Sequence, residues 1–165
     1  MTKQWYALYT HPRTEKKVAE RLTEKNIDIF LPLQKKIKQW KDRKKLVEEP
    51  LIRSYIFVKI DYKEYLNVLT TPGIVRFITF EGKAAPIPEK QINAIKLLLE
   101  TEFDFEIRPE RFKAGEKIRV ISGVLTGLEG ELISIKNINK VLIRIEHINY
   151  NMVIDIPLNF IELIR

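Results

Sequence analysis

The sequence predicts an α+β domain followed by a small all-β barrel, and two observations carry this prediction. Over residues 1–100 the predicted segments follow the order β-α-β-β-α-β-α, which is typical of an antiparallel sheet flanked by helices. From residue 113 onward, five short strands within about fifty residues fit an SH3-like barrel, which closes its sheet edges. We therefore expect a first domain at 1–102, a linker at 103–112 and a barrel at 113–165.

The first predicted elements are a strand, a helix and a second strand. Residues 5–10 are apolar on both faces, which indicates a central strand in a covered sheet. Residues 12–26 carry an apolar stripe of Val18, Ala19 and Leu22 with charged residues elsewhere, so they predict an amphipathic helix. Pro12 suits its first position. A strand is expected at 27–33.

Residues 51–60 form the strongest predicted strand. Alternate side chains of a strand point to opposite faces, so Ile56, Val58 and Ile60 share one aliphatic face. The opposite face mixes aromatic and basic side chains: Leu51, Arg53, Tyr55, Phe57 and Lys59. The first face predicts core, and the second predicts a surface of a different kind.

A short helix, a strand and a longer helix complete the first domain. A helix at 62–71 is indicated by apolar residues at helical spacing, namely Tyr62, Tyr65, Leu66 and Leu69. Pro72-Gly73 ends it, and residues 74–80 predict a strand. Pro88 then opens a helix that carries Ile92, Ile95 and Leu99 on one face.

The barrel strands follow a segment of different character. Phe103, Phe105 and Ile107 alternate with acids, and Arg108-Pro109-Glu110-Arg111 follows, which indicates a linker lying against one domain. Five strands are then expected, at 117–121, 131–136, 140–146, 151–156 and 160–164. Within the first hairpin, Gly123, Gly127 and Gly130 stand where the backbone must bend sharply or take a positive φ.

Positive charge is concentrated in one short segment. The net charge is +7, and residues 35–45 alone carry seven bases against the single acid Asp42. Such a patch suggests a polyanionic partner, most often nucleic acid. The alternative is a solvated hairpin whose lysines protect a sheet edge. Trp40 within this segment could stack on a base or pack on the lysine stems.

Several classes of protein are disfavoured by composition. There are no cysteines, and the only histidines are His11 and His147, so we expect no metal, no cofactor and no enzyme. No apolar run approaches the ~18 residues of a membrane span, and the chain opens without a signal peptide. We therefore expect a cytoplasmic protein with no membrane partner.

Four motifs in order resemble the NusG family over nearly the whole chain. They are residues 5–9 (Trp-Tyr-Ala-Leu-Tyr), 50–58 (Pro-Leu-Ile-Arg-Ser-Tyr-Ile-Phe-Val), 71–77 (Thr-Pro-Gly-Ile-Val-Arg-Phe) and the glycine-punctuated hairpin 117–135. The last is similar to a KOW motif. The resemblance implies an N-terminal NGN domain, a linker and a C-terminal KOW domain.

The resemblance implies a transcription elongation or antitermination factor. In the family the NGN domain binds the clamp helices of RNA polymerase through an exposed apolar surface and suppresses pausing. The matching residues are Tyr9, Tyr55, Phe57, Phe77 and Phe80. The alternative is that a helix of the same domain covers this face. One of Phe77 and Phe80 is expected to point inward, because their spacing is odd.

A nucleic-acid surface is implied beside it. By position, His11, Arg13, Lys16 and Lys17 match DNA-reading residues of specialised paralogues such as RfaH. The basic segment adds further candidates: Lys35, Lys36, Lys38, Trp40, Lys41, Arg43, Lys44 and Lys45. These suggest a specialised factor of the RfaH or LoaP kind that reads leader RNA, as a hairpin, or non-template DNA. The alternatives are a general NusG-type factor without sequence specificity, and a ribosome-associated KOW protein.

The KOW domain implies a second partner. In the family it recruits a small-subunit ribosomal protein or the termination factor Rho, and Leu125 and Ile148 match the contacting positions. The stripes at 141–145 and 152–156 favour a constitutive barrel over a helical alternative. We expect a monomer.

Overall fold

The computed structural model describes residues 2–101, 103–109 and 112–165. Contacts divide the chain into two compact units, one ending at Glu89 and the other running from Lys90 to Arg165. The expected domain boundary at residue 102 stays a prediction. Its end residue, and residues 110 and 111 of the expected linker, lie outside the described residues, as does residue 1.

The first unit is built on an antiparallel sheet. Its main strands are β1 (Gln4–Thr10), β2 (Asp28–Phe30), β5 (Tyr55–Ile60), β6 (Ile74–Phe77) and β9 (Pro86–Ile87), and its helices are α1 (Glu15–Glu24) and α2 (Tyr65–Leu69). The strand order is β2-β5-β1-β6, with β9 also paired to β1. Strands β7 (Thr79–Phe80) and β8 (Lys83–Ala84) form a separate small hairpin.

One face of this sheet is the main core, as the alternation at 51–60 predicts. Ile56, Val58 and Ile60 are buried with Leu8 of β1 and with Leu22 of α1. Burying each such side chain contributes roughly 1.5–3 kcal/mol relative to exposure. The register pairs Leu8 with Ile56 and Tyr9 with Tyr55, so Tyr9 and Tyr55 project from the opposite face.

The first helix begins later than expected. Pro12 is not its first residue, because Arg13 has a φ of +64° and so cannot be helical. The helix therefore starts at Glu15, and its buried residues include Val18 and Leu22.

The second helix is shorter than expected, and its predicted stripe is partly wrong. A 3₁₀ turn at Tyr62–Glu64 precedes α2, and the side chain of Asp61 caps it in a capping box. Tyr65 and Leu69 pack on the core, but Tyr62 and Leu66 are exposed. Tyr62 and Leu66, four residues apart, face solvent together, whereas Tyr65 and Leu69, also four apart, face the core, so the predicted stripe combined two faces of the segment.

The basic segment is a two-stranded ribbon. Strands β3 (Leu33–Gln39) and β4 (Lys44–Pro50) pair with each other and, within the described chain, with no further strand. Seven residues a strand give the ribbon a length of about 24 Å. Its turn is closed by the Trp40 N–H, which donates to the Arg43 carbonyl oxygen at 2.7 Å.

The second unit contains a six-stranded antiparallel sheet and the helix α3 (Glu89–Leu99), except for Glu89, which is the last residue of the first unit. The strands are β10 (Phe105–Arg108), β11 (Glu116–Val120), β12 (Glu129–Ile135), β13 (Ile138–Ile145), β14 (Tyr150–Ile154) and β15 (Ile161–Leu163). Their order is β10-β14-β13-β12-β11-β15. All five expected strands are confirmed, and each of their ends lies within two residues of the expected position. The β10 strand lies in the expected linker and pairs with β14.

The glycines of the first hairpin have two different causes. Gly123 and Gly127 have φ angles of +83° and +93°, which L-residues rarely adopt. Gly130 lies in a strand, where an added Cβ would stand 2.7 Å from the Leu142 carbonyl oxygen. The first two positions allow the turn, and the third allows β12 to approach β13.

Candidate polymerase and nucleic-acid surfaces

An aromatic pair stands at one end of β1 and β5. The rings of Tyr9 and Tyr55 meet edge to face, with centroids 5.6 Å apart, and both residues are partly exposed. The guanidinium of Arg76, on the neighbouring β6, lies 5.6 Å from the Tyr9 ring centroid, in cation–π range. These three side chains, Tyr9, Tyr55 and Arg76, form a half-exposed surface that we call the plate. Its two tyrosine rings are apolar, and their hydroxyl groups are polar.

Two of the five residues predicted to contact polymerase, Phe57 and Phe77, are buried, and for Phe77 this agrees with the expectation that one of Phe77 and Phe80 points inward. Phe57 is fully buried, and its ring stacks on Phe30 of the neighbouring β2 at 6.1 Å. Phe77 is the inward member of its pair, stacked 4.4 Å from the Tyr65 ring. Phe80 is 60% exposed beside the β7–β8 turn. The exposed part of the predicted set is therefore Tyr9, Tyr55 and Phe80.

Sequence reasoning missed Arg76 and Val75. Both are exposed on β6, between buried Ile74 and Phe77. The signal was present: once Phe77 points inward, Arg76 must project from the opposite face of the strand. The register then sets Arg76 opposite Tyr9.

A buried carboxylate fixes the backbone beside the aromatic pair. Glu15 accepts hydrogen bonds from the N–H groups of Arg13 and Ser54, each at 3.2 Å. Arg13 and Ser54 both have a φ of +64°, a conformation unfavourable for L-residues. Since Ser54 directly precedes Tyr55, Glu15 positions the start of β5.

The basic ribbon exposes all of its predicted bases. Its exposed residues include Lys35, Lys36, Lys38, Lys41, Arg43, Lys44 and Lys45. Trp40 at the tip is 54% exposed, so part of its ring faces solvent. Ile37 and Leu46, directly opposite one another, are 71% and 61% exposed.

Glu49 neutralises part of this charge. Its two carboxylate oxygens accept from Lys36 Nζ at 3.3 Å and Lys38 Nζ at 3.0 Å. The hydrogen bond from Lys38 is the main reason that the pKa of Glu49 lies below its ordinary value; partial burial opposes this shift and Lys36 adds to it.

The structure brings the ribbon and the start of α1 together. Lys16 Nζ donates to the Glu48 carbonyl oxygen at 2.8 Å, which ties α1 to the base of β4. The His11 N–H donates to the carbonyl oxygen of Gly73, whose φ of +99° and close approach to Val18 leave no room for a Cβ. His11, Arg13, Lys16 and Lys17 are all exposed. The first-turn bases and the ribbon thus belong to one basic region.

The two residues predicted to contact a partner from the barrel are both buried, and their partner role stays a prediction. Leu125 is fully buried and Ile148 is 4% exposed, so each belongs to the core of the second unit. The aliphatic side chains suit burial between strands, and nothing in their spacing distinguishes a core turn residue from an exposed one. The exposed apolar residues nearby are Val124, at 69%, and Ile121, at 47%.

An ion pair joins β12, β13 and the segment before β11. Arg144 Nε donates to Glu131 at 2.6 Å, and its Nη2 also donates to the carbonyl oxygens of Phe112 and Lys113. Burial favours the protonated form of Glu131, but the hydrogen bonds from Arg144 and from the Gly115 N–H outweigh it. The pKa of Glu131 therefore lies below its ordinary value.

Among residues 2–101, 103–109 and 112–165, no group of three or more His, Asp or Glu side chains is arranged to hold a metal ion. No helix within these ranges has the length and apolar character needed to span a membrane.

Comparison with known proteins places this architecture among transcription termination factors. Residues 3–96 match the family described as "Transcription termination factor nusG". Because the match covers more than half of the chain, the chain belongs to the NusG family.

Individual relatives agree over most of the chain. The "Transcription termination/antitermination protein NusG" of Streptococcus pyogenes serotype M3 is 25% identical over 170 residues, covering 94% of this chain and 93% of its own. The protein of the same name from Pseudomonas aeruginosa is 25% identical over 142 residues, covering 79% and 80%. A solved structure described as "Domain interaction in Thermotoga maritima NusG" has a TM-score of 0.55 at 22% identity, covers 99% of this chain and 98% of that one, and supports the fold.

Proposed function

We propose that this protein is a transcription elongation and antitermination factor that binds the clamp helices of RNA polymerase through its first unit. The half-exposed plate of Tyr9, Tyr55 and Arg76 is the observation that carries the proposal. Partly exposed aromatic and arginine side chains are the groups that most often dominate a protein interface. Val75 on β6 and Phe80 on the separate β7–β8 hairpin are further exposed apolar side chains of the same unit.

The mechanism is selective binding, without a covalent step. A factor that binds the pause-free state of polymerase better than the paused state shifts the equilibrium toward the former by its difference in affinity. The barrel extends this action by recruiting a second partner, a small-subunit ribosomal protein or Rho. The protein acts as a monomer in the cytoplasm.

The basic ribbon contacts nucleic acid near the polymerase, as leader RNA or non-template DNA. Its seven exposed bases and half-exposed Trp40 support this role, since lysines bind phosphates and an aromatic ring can stack on a base. The neighbouring His11, Arg13, Lys16 and Lys17 enlarge the basic region. The concentration of charge favours a specialised paralogue of the RfaH or LoaP kind.

The general NusG-type factor is the second candidate. The named relatives from Streptococcus and Pseudomonas carry the name of the general factor. Sequencing the nucleic acid that co-purifies with the cellular complex separates the two. Enrichment of one leader element supports the specialised role, and an even spread over transcribed genes supports the general one.

The polymerase contact is tested by a pull-down of RNA polymerase with Tyr55→Ala. We expect about tenfold weaker binding, because losing an aromatic anchor costs on the order of 1–2 kcal/mol. Phe57→Ala is unsuitable, since that side chain is buried. Tyr62→Ala is the matched control, because Tyr62 is 84% exposed on a different element. Equal recovery of wild type and both variants would refute the proposed surface.

The nucleic-acid contact is tested with a Lys35/Lys36/Lys38/Lys41→Ala variant. Binding to a short RNA hairpin and to a short DNA duplex is measured against salt concentration. We expect the log–log slope to become shallower by about 0.9 for each phosphate contact that is lost. An unchanged slope would show that the ribbon makes no phosphate contact.

A further inference from the structure

The two oxygens of Glu49 lie between two lysines of the same strand. Lys36 Nζ binds one oxygen and Lys38 Nζ binds the other. Both lysine side chains are 53% exposed, whereas that of Glu49 is 23% exposed. The arrangement is a pair of ammonium groups converging on one small anion at the surface.

The carboxylate of Glu49 resembles a phosphodiester in its charge and in the hydrogen bonds that it accepts. A carboxylate and a phosphodiester each carry one negative charge on two terminal oxygens, and both accept charge-assisted hydrogen bonds from ammonium groups. The distances of 3.3 Å and 3.0 Å therefore describe how this lysine pair can hold a phosphate.

The ribbon separates this pair from its apolar residues. Lys36 lies opposite Val47 and Lys38 opposite Lys45, so these residues share one face with Glu49. The exposed Ile37 and Leu46 pair projects from the other face. Lys45 adds a third base to the face of the lysine pair, beyond Glu49 toward the tip of the ribbon.

We propose that Lys36 and Lys38 form a phosphodiester-binding subsite that Glu49 occupies in the free protein and leaves when nucleic acid binds. The proposal rests on the nucleic-acid role proposed for the ribbon and names the face and the residues that contact the backbone. Glu49 is thus a built-in competitor. It weakens non-specific binding to any polyanion, so other contacts must select the correct target.

An exposed ion pair is easily displaced. Its attraction is small in water, is screened by salt and is offset by the side-chain entropy lost in holding it. A polyanion that also contacts Lys45 and the bases at the tip can therefore replace Glu49. The depressed pKa of Glu49 agrees with its role as the resident anion.

The test compares two substitutions of equal charge in the full-length protein. Glu49→Gln removes the competitor, and Glu48→Gln removes the same charge one residue away, from an exposed side chain on the opposite face. Fluorescence anisotropy measures binding of each variant to a labelled RNA hairpin and a labelled DNA duplex over a range of salt concentrations. A Lys36→Gln/Lys38→Gln variant, with and without Glu49→Gln, completes a coupling cycle.

We expect Glu49→Gln to bind about three- to tenfold more tightly at low salt and Glu48→Gln to change binding less than about twofold, since among the described residues Glu49 holds two ion pairs and Glu48 holds none. The salt slope of Glu49→Gln should steepen by about 0.9, the value for one added phosphate contact. The gain should vanish when both lysines are replaced. The nucleic acid with the larger gain, RNA or DNA, is the source of the phosphodiester.

Three results overturn the proposal. Equal effects of Glu49→Gln and Glu48→Gln mean a general charge effect, as does a gain that persists without the lysines. If the four-lysine variant nonetheless loses binding, the nucleic-acid role stands and the subsite alone fails. If the wild-type protein binds neither nucleic acid in a salt-dependent way, both fail together.

Discussion

The Glu15 carboxylate stabilises the backbone conformation of two residues, Arg13 and Ser54. It lies at the start of α1, where the helix dipole favours a negative charge, and it is 6% exposed. Its bonds to the N–H groups of Arg13 and Ser54 satisfy two donors on residues with positive φ. One side chain thereby joins the loop before α1 to Ser54, the residue directly before Tyr55.

We expect Glu15→Ala to lower the free energy of unfolding by about 1–3 kcal/mol, because it leaves backbone donors without a partner in a buried site. Glu15→Gln should cost less, since both bonds go to one carboxylate oxygen and an amide oxygen in its place still accepts them. Glu20→Ala, on the exposed face of the same helix, is the control and should change stability by less than about 0.5 kcal/mol. Urea unfolding gives the values, and equal losses for Glu15→Ala and Glu20→Ala would contradict this role.

Residue positions also show where sequence reasoning stops. Strand alternation was enough to assign Ile56 and Val58 to the core and Tyr55 to the other face. It could not show that Phe57 is covered, because alternation gives direction and carries no information on what packs there. The same limit explains why the burial of Leu125 was not foreseen, since an aliphatic residue in a turn is equally compatible with exposure and burial.

Strand pairs were easier to predict than short helices. The ends of β11 to β14 depend on residue type and turn chemistry, such as the two-residue turn of Lys136 and Asn137, both with positive φ. The 3₁₀ turn before α2 carries the Asp61 capping box, and Tyr62 and Leu66 face solvent although the predicted stripe included them. Four apolar residues at i, i+3, i+4 and i+7 form two pairs with the same spacing, and spacing alone does not show which pair faces the core.

The ion pair between β12 and β13 makes the stability of the second unit depend on pH. The folded pKa of Glu131 is lowered, so its stabilising contribution is fully present above the unfolded pKa and is lost as pH falls through the lower folded pKa. Arg144→Gln removes the main partner. We therefore expect this variant to lose stability at pH 7 and to show a smaller further loss on acidification.

Urea unfolding at neutral and acidic pH measures this difference. Lys140→Gln is the control, because Lys140 lies on the same β13 strand but bonds to Asp155. Its pH dependence through the range in which Glu131 titrates should stay closer to that of the wild type. Identical pH profiles for wild type and Arg144→Gln would show that Glu131 is not held by this arginine.

The whole chain divides in a way that composition alone does not reveal. The predicted linker contains β10, whose Phe105 and Ile107 pair with Ile154 and Met152 of β14. The alternation of apolar residues with acids was the signal for a strand there. It was outweighed by the following Arg-Pro segment, which indicates irregular backbone. Part of the predicted linker, Phe105–Arg108, thus belongs to the sheet of the second unit.

This assignment predicts that a fragment of residues 103–165 is more stable than one of residues 113–165. The shorter fragment loses the half-buried Phe105 and Ile107, which costs about 2–3 kcal/mol of hydrophobic stabilisation. It also uncovers the edge of β14, whose residues Asn151–Ile154 are buried in the intact chain, so we expect it to self-associate. Urea unfolding and sedimentation compare the two fragments. If the two fragments are equally stable and both are monomeric, β10 does not stabilise the sheet. The linker would then span residues 103–112, as the sequence predicts.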